Sequence, residues 1–261
     1  MIRNDGRAPS DLRPVRISID TYGYAEGSAL IEMGNTRVLC TASVEEGVPQ
    51  WLRGQQRGWV TAEYALLPRS TAQRTRRERN GLSGRTQEIQ RLIGRALRAA
   101  VALEALDGFT VTIDCDVLQA DGGTRTASIT GGYVALALAL HRLTAAGRLA
   151  ANPIRRAVAA VSAGYVGGNA LLDLDYSEDS VADMDCNLVL TDDGAIVEVQ
   201  STAEARAVSR AEFDVLIDLA SDGIHRLLAL QREVLAPVVE RLGVASAELQ
   251  SEDRSVADGG A

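Results

Sequence analysis

The sequence predicts an α+β fold in which helices cover one side of mixed sheets. Three observations carry that expectation. Runs of two-residue alternation come first and a helical stripe follows them, and the same order recurs more loosely after residue 150. In addition, no glycine motif has the strand–helix spacing of a Rossmann unit. At 261 residues the chain can bury a substantial core, as one large domain or two tightly joined halves.

Residues 15–20 (VRISID) alternate and read as a strand. Residues 28–33 and 36–44 are extended runs joined by Gly34-Asn35, a pair suited to a tight hairpin. The run 58–67, with Trp59, Val60, Tyr64 and Leu66, is the next strand. The polar stretch 69–84 has no apolar period and reads as a loop. From about Thr86 the period becomes helical: Ile89, Leu92, Ile93, Ala96, Leu97 and Val101 share one stripe, and Gly108 suits its termination. Val111, Ile113, Cys115 and Val117 then alternate with polar residues, a strand with one buried face. The following helix is placed at 126–146, and its centre, YVALALAL, is apolar on every side, so it should be buried all round.

In the second half, Pro153 suits the first turn of a helix. Strand-like runs follow at 161–166, 170–174, 186–190 and 195–200, then a long helix at 210–230 and a shorter one at 234–242. Residues 251–261 are polar without period and read as a disordered tail, leaving 1–250 as a single domain.

Charge is distributed unevenly. The chain carries a net −8, yet residues 51–100 hold 11 Arg against 3 Glu. An acidic protein that concentrates positive charge in one segment handles an anion locally. Lysine is absent from the sequence, so every such contact would use the planar guanidinium, which can grip two phosphate oxygens at once. Cys40, Cys115 and Cys186 lie far apart in strand-like runs and read as buried small hydrophobes in a reducing compartment. His141 and His225 are too separated to suggest zinc. The start MIRNDGR has no signal-peptide core and the apolar run 134–140 is too short to span a bilayer, so a cytoplasmic protein without membrane contact is expected.

Five groups could carry chemistry. Gly123-Thr124-Arg125 lies between a strand and a helix, where unpaired N–H donors, a hydroxyl and a charge could hold inorganic phosphate. The alternative is a capped turn in which Thr124 or Thr126 merely satisfies the helix end. Arg85 stands at the mouth of the amphipathic helix, a positive charge at the positive end of a dipole, which suggests a use for it. The arginines at 69, 74, 76, 77 and 79 are either a contact for a nucleic-acid backbone or a solvated face. Trp51, Trp59, Tyr64 and Tyr133 could stack bases, although core packing is the commoner use. Finally, Asp173, Asp175, Glu178, Asp179, Asp183 and Asp185 crowd into thirteen residues, a group able to hold a divalent ion or transfer a proton, or simply an acidic turn.

Together these runs resemble the ribonuclease PH family of phosphorolytic 3′→5′ exoribonucleases. The resemblance is carried by Arg3-Asn4-Asp5-Gly6-Arg7, by GWVTAEY at 58–64, by Leu67-Pro68-Arg69-Ser70-Thr71, and by GRTQEIQRLIGRALR at 84–98. It continues through LQADGGTRTASITG at 118–131, the later part of LDLDYSEDSVADMDCN at 174–187, and Glu198-Val199-Gln200. It implies a fold like the second domain of ribosomal protein S5 and an RNA-binding nucleotidyltransferase of tRNA and rRNA processing. Such an enzyme removes 3′-terminal nucleotides of tRNA precursors with inorganic phosphate and releases nucleoside 5′-diphosphates. By the same resemblance Arg85, Gly123, Thr124 and Arg125 are the phosphate site, and Asp179 and Asp185 are the active-site aspartates, with Asp185 as general acid or metal-linked carboxylate. Arg69, Arg74 and Arg77 are the loop arginines for RNA contact and ring assembly. Mg2+ held by Asp179 and Asp185, and a homohexamer built as a trimer of dimers, are also implied.

Two departures from the family pattern are visible. The 77–85 loop is a little short and lacks a lysine near Gly81-Leu82, and EVQSTAE replaces EVQGTAE, so Ser201 would be strained if its position needs a positive φ. The alternatives to a phosphorolytic enzyme are a non-catalytic RNA-binding ring subunit and a hydrolytic nuclease with two metals.

Overall fold

The computed structural model describes residues 3–258, with side chains described as far as Leu242. The first half forms a five-stranded sheet in the order β1-β2-β3-β5-β4. Its strands are β1 (Val15–Ile19), β2 (Gly27–Met33), β3 (Thr36–Glu46), β4 (Trp59–Leu66) and β5 (Phe109–Gln119). Neighbours run antiparallel except β4 and β5, which are parallel and joined through α1 (Gly84–Ala99). A parallel pair needs such a long crossover, and the helical stripe at 89–101 supplies it. The second half forms an antiparallel sheet in the order β7-β6-β8-β9. Its strands are β6 (Val158–Val166), β7 (Asn169–Leu172), β8 (Met184–Thr191) and β9 (Ile196–Ala203), with a one-turn helix α3 (Tyr176–Asp179) before β8.

Between the sheets lies α2 (Thr124–Ala145), in contact with β2 and β3 on one side and with β6 and α4 (Arg210–Asp258) on the other. Every residue from Thr126 to Leu140 is buried, which is why this helix is apolar all round. Gly27 permits the close approach: a Cβ there would lie 2.1 Å from the Ala135 carbonyl oxygen. One core cluster runs from Ile17 to Val238 and takes in both sheets. The three cysteines are free and buried, as small hydrophobes.

Several elements differ from expectation. No helix begins at Pro153: Ala102 N–H donates to the Pro153 carbonyl at 2.7 Å, Val101 bridges Ile154, and Arg155 N–H donates to Ala100 O at 2.8 Å. A proline compatible with a first turn does not create one when the following backbone finds partners on another segment. The α2 helix starts two residues early, at Thr124. β7 ends at Leu172 because Asp173 takes a left-handed φ of 52° and turns its carboxylate inward. The two expected C-terminal helices are one, α4, which passes through Pro237. Leu216, Ala220, Ile224, Leu227, Leu228, Gln231, Leu235 and Val238 form one buried stripe, so burial outweighs the lost hydrogen bond. Gln231 stitches the helix down, donating to Thr130 O at 2.9 Å and Val158 O at 3.0 Å. Of the tail expected to be disordered, 251–258 continue α4 and 259–261 lie outside the described residues.

Candidate active site

β5 ends at Gln119, and Gly122 (φ +74°) and Gly123 (φ +64°) turn the chain into α2. A side chain at Gly122 would be strained twice: the φ is left-handed, and a Cβ would lie 2.4 Å from the Leu174 carbonyl oxygen. No side chain caps α2 at this end. Thr126 Oγ1 donates to the Gly123 carbonyl at 2.9 Å, and the Thr124 hydroxyl meets the Tyr64 hydroxyl at 2.9 Å. Thr126 thus satisfies a carbonyl of the helix end, not its N–H groups, and the first N–H groups of α2 face the turn, where an anion could meet them.

The turn opens into a cavity of about 830 Å³ whose lining includes Arg85, Gly123, Thr124, Arg125, Asp179 and Asp185. Six strands and helices converge there, namely β4, α1, α2, β6, α3 and β8. Arg85 comes from the first turn of α1, after the Ser83 cap, and is exposed. Arg125 is held across the two halves: it donates to Gln200 Oε1 of β9 at 2.8 Å and lies 3.4 Å from Glu88 Oε1 of α1. Gln200 Nε2 in turn donates to Glu88 at 2.9 Å, so the arginine head is fixed by neighbours on both sides.

Asp179 ends α3 and Asp185 stands second in β8. Burial pushes the Asp179 carboxyl above its ordinary range, against the pull of Arg125 and Arg85. Asp185 is also raised, first by burial and then by the neighbouring Asp179 charge. Two carboxylates raised above their ordinary range, with the Asp179 charge adding to the rise at Asp185, are suited to keeping one proton available for transfer.

The other acidic residues of this stretch are structural. Asp173 is fully buried against Arg13 (2.7 Å), Asp175 caps α3, and Glu178 is paired with Arg3 (2.6 Å). Asp183 accepts from Gly168 N–H at 3.3 Å. Arg69, Arg74 and Arg77 are exposed and do not line the cavity, although Thr71, Ala72, Gln73 and Thr75 of the same loop do. Trp59 stacks edgewise on Trp51 and carries Arg98 over its face at 4.3 Å, and Tyr133 is buried in the core. Of the four aromatics, Tyr64 alone lines the cavity.

Sequence reasoning missed Ser162, Asn187 and Glu204, which also line it. Ser162 left a faint signal, as a lone hydroxyl inside the apolar run VAAVSAGYV. The strain considered for Ser201 does not arise: positive φ outside glycine is confined, among the described residues, to Asp20, Gln56 and Asp173. Ser201 sits in β9 and donates from Oγ to the Asp185 carbonyl at 2.9 Å.

A helix N-terminus, arginines from two helices and a pair of raised carboxylates facing one cavity are the groups that phosphoryl chemistry on an α+β scaffold would use. The comparisons make the class specific. Residues 11–140 match the model of domain 1 of the 3′ exoribonuclease family, and residues 156–223 match its domain 2. The chain is 54% identical over 245 residues to ribonuclease PH of Moorella thermoacetica, covering 93% of this chain and 98% of that one. Among solved structures, the Archaeoglobus fulgidus exosome with RNA bound to the active site aligns with a TM-score of 0.73 at 26% identity, over 86% of this chain and 91% of that one. Rice (Oryza sativa) Rrp46 aligns with a TM-score of 0.74 at 19% identity, over 90% and 100%, a likeness of fold. The chain belongs to the 3′ exoribonuclease family. Its activity is phosphorolytic 3′→5′ exonucleolysis in tRNA processing, with phosphate as a substrate.

Proposed function

We propose that this cavity shortens RNA 3′ ends, tRNA precursors foremost, by one nucleotide per turnover through in-line attack of orthophosphate. The observation that carries this reading is the convergence of Arg85, the Gly123-Thr124-Arg125 turn, Asp179 and Asp185 on one space. Orthophosphate sits on the α2 N-terminus, clamped by Arg85 and Arg125. One of its oxygens forms a bond to the terminal phosphorus as the bond from phosphorus to the leaving 3′ oxygen breaks. The guanidinium groups and helix N–H donors offset the charge that builds on the phosphorus oxygens. Asp185, raised by burial and by Asp179, gives its proton to the leaving 3′ oxygen. The products are a nucleoside 5′-diphosphate and RNA with a new 3′-hydroxyl. In reverse, the same groups add a nucleotide from its diphosphate.

Mg2+ binds proteins through one or two carboxylates together with substrate phosphates. Asp179 and, once it has given up its proton, Asp185 suit that mode, and no group of three or more ligating side chains is found among the described residues. When bound there, the ion would neutralise charge on the reacting phosphates. Arg69, Arg74 and Arg77, exposed on the loop whose other residues form the cavity rim, hold the RNA backbone beyond the reacting nucleotide. Residues 1–250 work as one unit, a reading supported by the core cluster common to both sheets. The family resemblance supports assembly as a homohexameric trimer of dimers and a place in the cytoplasm. No described helix is long and apolar enough to cross a membrane.

The test is product analysis on a tRNA precursor with and without added phosphate. Nucleoside 5′-diphosphates that form only with phosphate support the reading; nucleoside 5′-monophosphates formed without it overturn it.

A further inference from the structure

The N-terminal segment ahead of β1 takes no part in the chemistry above, yet it holds three arginines that reach into the site's foundations. Arg3 is 2% exposed and makes a two-pronged pair with Glu178, from Nε to Oε1 at 2.7 Å and from Nη2 to Oε2 at 2.6 Å. It also donates to the carbonyls of Leu172 at 2.8 Å and Asp173 at 3.1 Å. Glu178 belongs to the capping box of α3: the Asp175 carboxylate accepts from Glu178 N–H at 3.0 Å, and Glu178 accepts from Asp175 N–H at 3.1 Å. The next residue along that single turn is Asp179.

Arg13 is 4% exposed and engages both oxygens of the fully buried Asp173, at 2.7 Å and 3.0 Å. The same guanidinium donates to the carbonyl of Asp121 and reaches that of Gly122 at 3.5 Å. Asp173 adopts φ +52°, unusual outside glycine, and this conformation presents its carboxylate to Arg13. Arg7 joins the two pairs, donating to Asp173 O at 3.0 Å. Backbone contacts fasten the segment down: Leu172 N–H donates to Pro9 O at 2.8 Å, and Arg226 of α4 donates to Ser10 O at 2.7 Å.

A helix of one turn has no stability of its own, and a glycine pair has no side chains to hold it. Both site walls therefore take their placement from outside: Arg3 holds the first, and Arg13 on the Asp121 carbonyl, together with the Thr36 hydroxyl on the Gly122 carbonyl at 2.7 Å, holds the second. We propose that residues 3–13 form a positioning strap for the reaction, in which Arg3 sets Asp179 through Glu178 and Arg13 sets the phosphate-binding turn through its carbonyls. The proposal rests on the assignment of Asp179 and the turn to the active site. The two arms act on different parts of the reaction, so they separate in kinetics. Arg3 governs the carboxylate wall and thus turnover; Arg13 governs the anion cradle and thus phosphate affinity.

The experiment compares full-length Arg3→Lys, Arg13→Lys and Asp179→Asn by kcat, phosphate KM and Tm. Removing one partner of a buried pair can unfold a protein, whereas exchanging both for apolar residues is often tolerated. Arg3→Met combined with Glu178→Leu is therefore included as a folded variant without the pair, and Asp173→Asn, which tolerates the left-handed φ, serves for the second arm. The Arg3 variants should lose roughly 10- to 100-fold in kcat with phosphate KM within about twofold of the parent, the scale of a small misplacement of a reacting group. Arg13→Lys and Asp173→Asn should instead raise phosphate KM by roughly tenfold or more. Parent-like kinetics in the folded double variant, with Asp179→Asn inactive, would overturn the strap alone. So would a loss of kcat and phosphate affinity that tracks Tm equally in every variant. Full activity in Asp179→Asn would overturn the site assignment, and the Arg3 arm with it.

Discussion

Arg125 of α2 donates to Gln200 of β9 at 2.8 Å, so the arginine beside the Gly122-Gly123 turn is held by the opposite sheet. Neither half of the chain completes the site. The turn and Arg85 come from the first half, whereas Gln200, Asp179 and Asp185 come from the second. Their meeting depends on α2, which fills the space between the sheets and starts at the turn itself.

Replacement of Asp185 separates stability from activity. Its carboxyl is raised by burial and by Asp179. An aspartate raised in the folded state contributes its full stability below the unfolded pKa, and that contribution is lost as pH rises through the folded value. Asp185→Asn should therefore raise Tm above that window and leave it unchanged below. Turnover should fall by roughly 100-fold or more, the usual worth of a general acid, with RNA affinity retained in a filter-binding assay.

The same shift sets the pH dependence. A general acid works while protonated, so kcat should decline on the alkaline side of the Asp185 pKa, which lies above the ordinary 3.8. In the Asp179→Asn variant the neighbouring charge is gone, so Asp185 should titrate lower. Any residual activity should then decline at a lower pH than in the parent.

Arg85→Ala should raise phosphate KM by roughly 10- to 100-fold, the loss of a charge-assisted contact to an anion. Arg85 is exposed and not buried in the core, so Tm should change little.

The turn and Arg85 were legible because their signals are local: two glycines between an alternating run and a helical one, and an arginine at a helix mouth. The pairing of Asp179 with Asp185 needed the family resemblance, since their acidic neighbours look alike in sequence and all four of those proved structural. Arg13 with Asp173 and Arg3 with Glu178 left no local trace, because the partners are 160 and 175 residues apart. Pro153 misled for a related reason, as pairing to the end of α1 outweighed a permissive helix start. In α4 the periodic burial persisted through 231–233, where the sequence suggested a break between two helices, with Gln231 buried.

Ser201→Gly restores the residue usual in the family but should not improve this protein. Ser201 lies in a strand, its backbone needs no glycine, and its hydroxyl binds the Asp185 carbonyl. Thermal melts should show a loss of about 0.5–1 kcal/mol, the cost of glycine within a strand, and kcat should not rise.

Gly122→Ala should be far more damaging, because it meets a left-handed φ and a carbonyl oxygen at 2.4 Å. A destabilisation above about 1 kcal/mol is expected, together with weaker phosphate binding in any folded fraction.

The most direct measurement is a crystal structure of the full-length protein soaked with phosphate at its working concentration. The anion should lie on the N–H groups that open α2, within hydrogen-bonding distance of both Arg85 and Arg125 and beside Asp185. Phosphate bound elsewhere, with Arg85 and Arg125 turned away from a common anion, would contradict the mechanism.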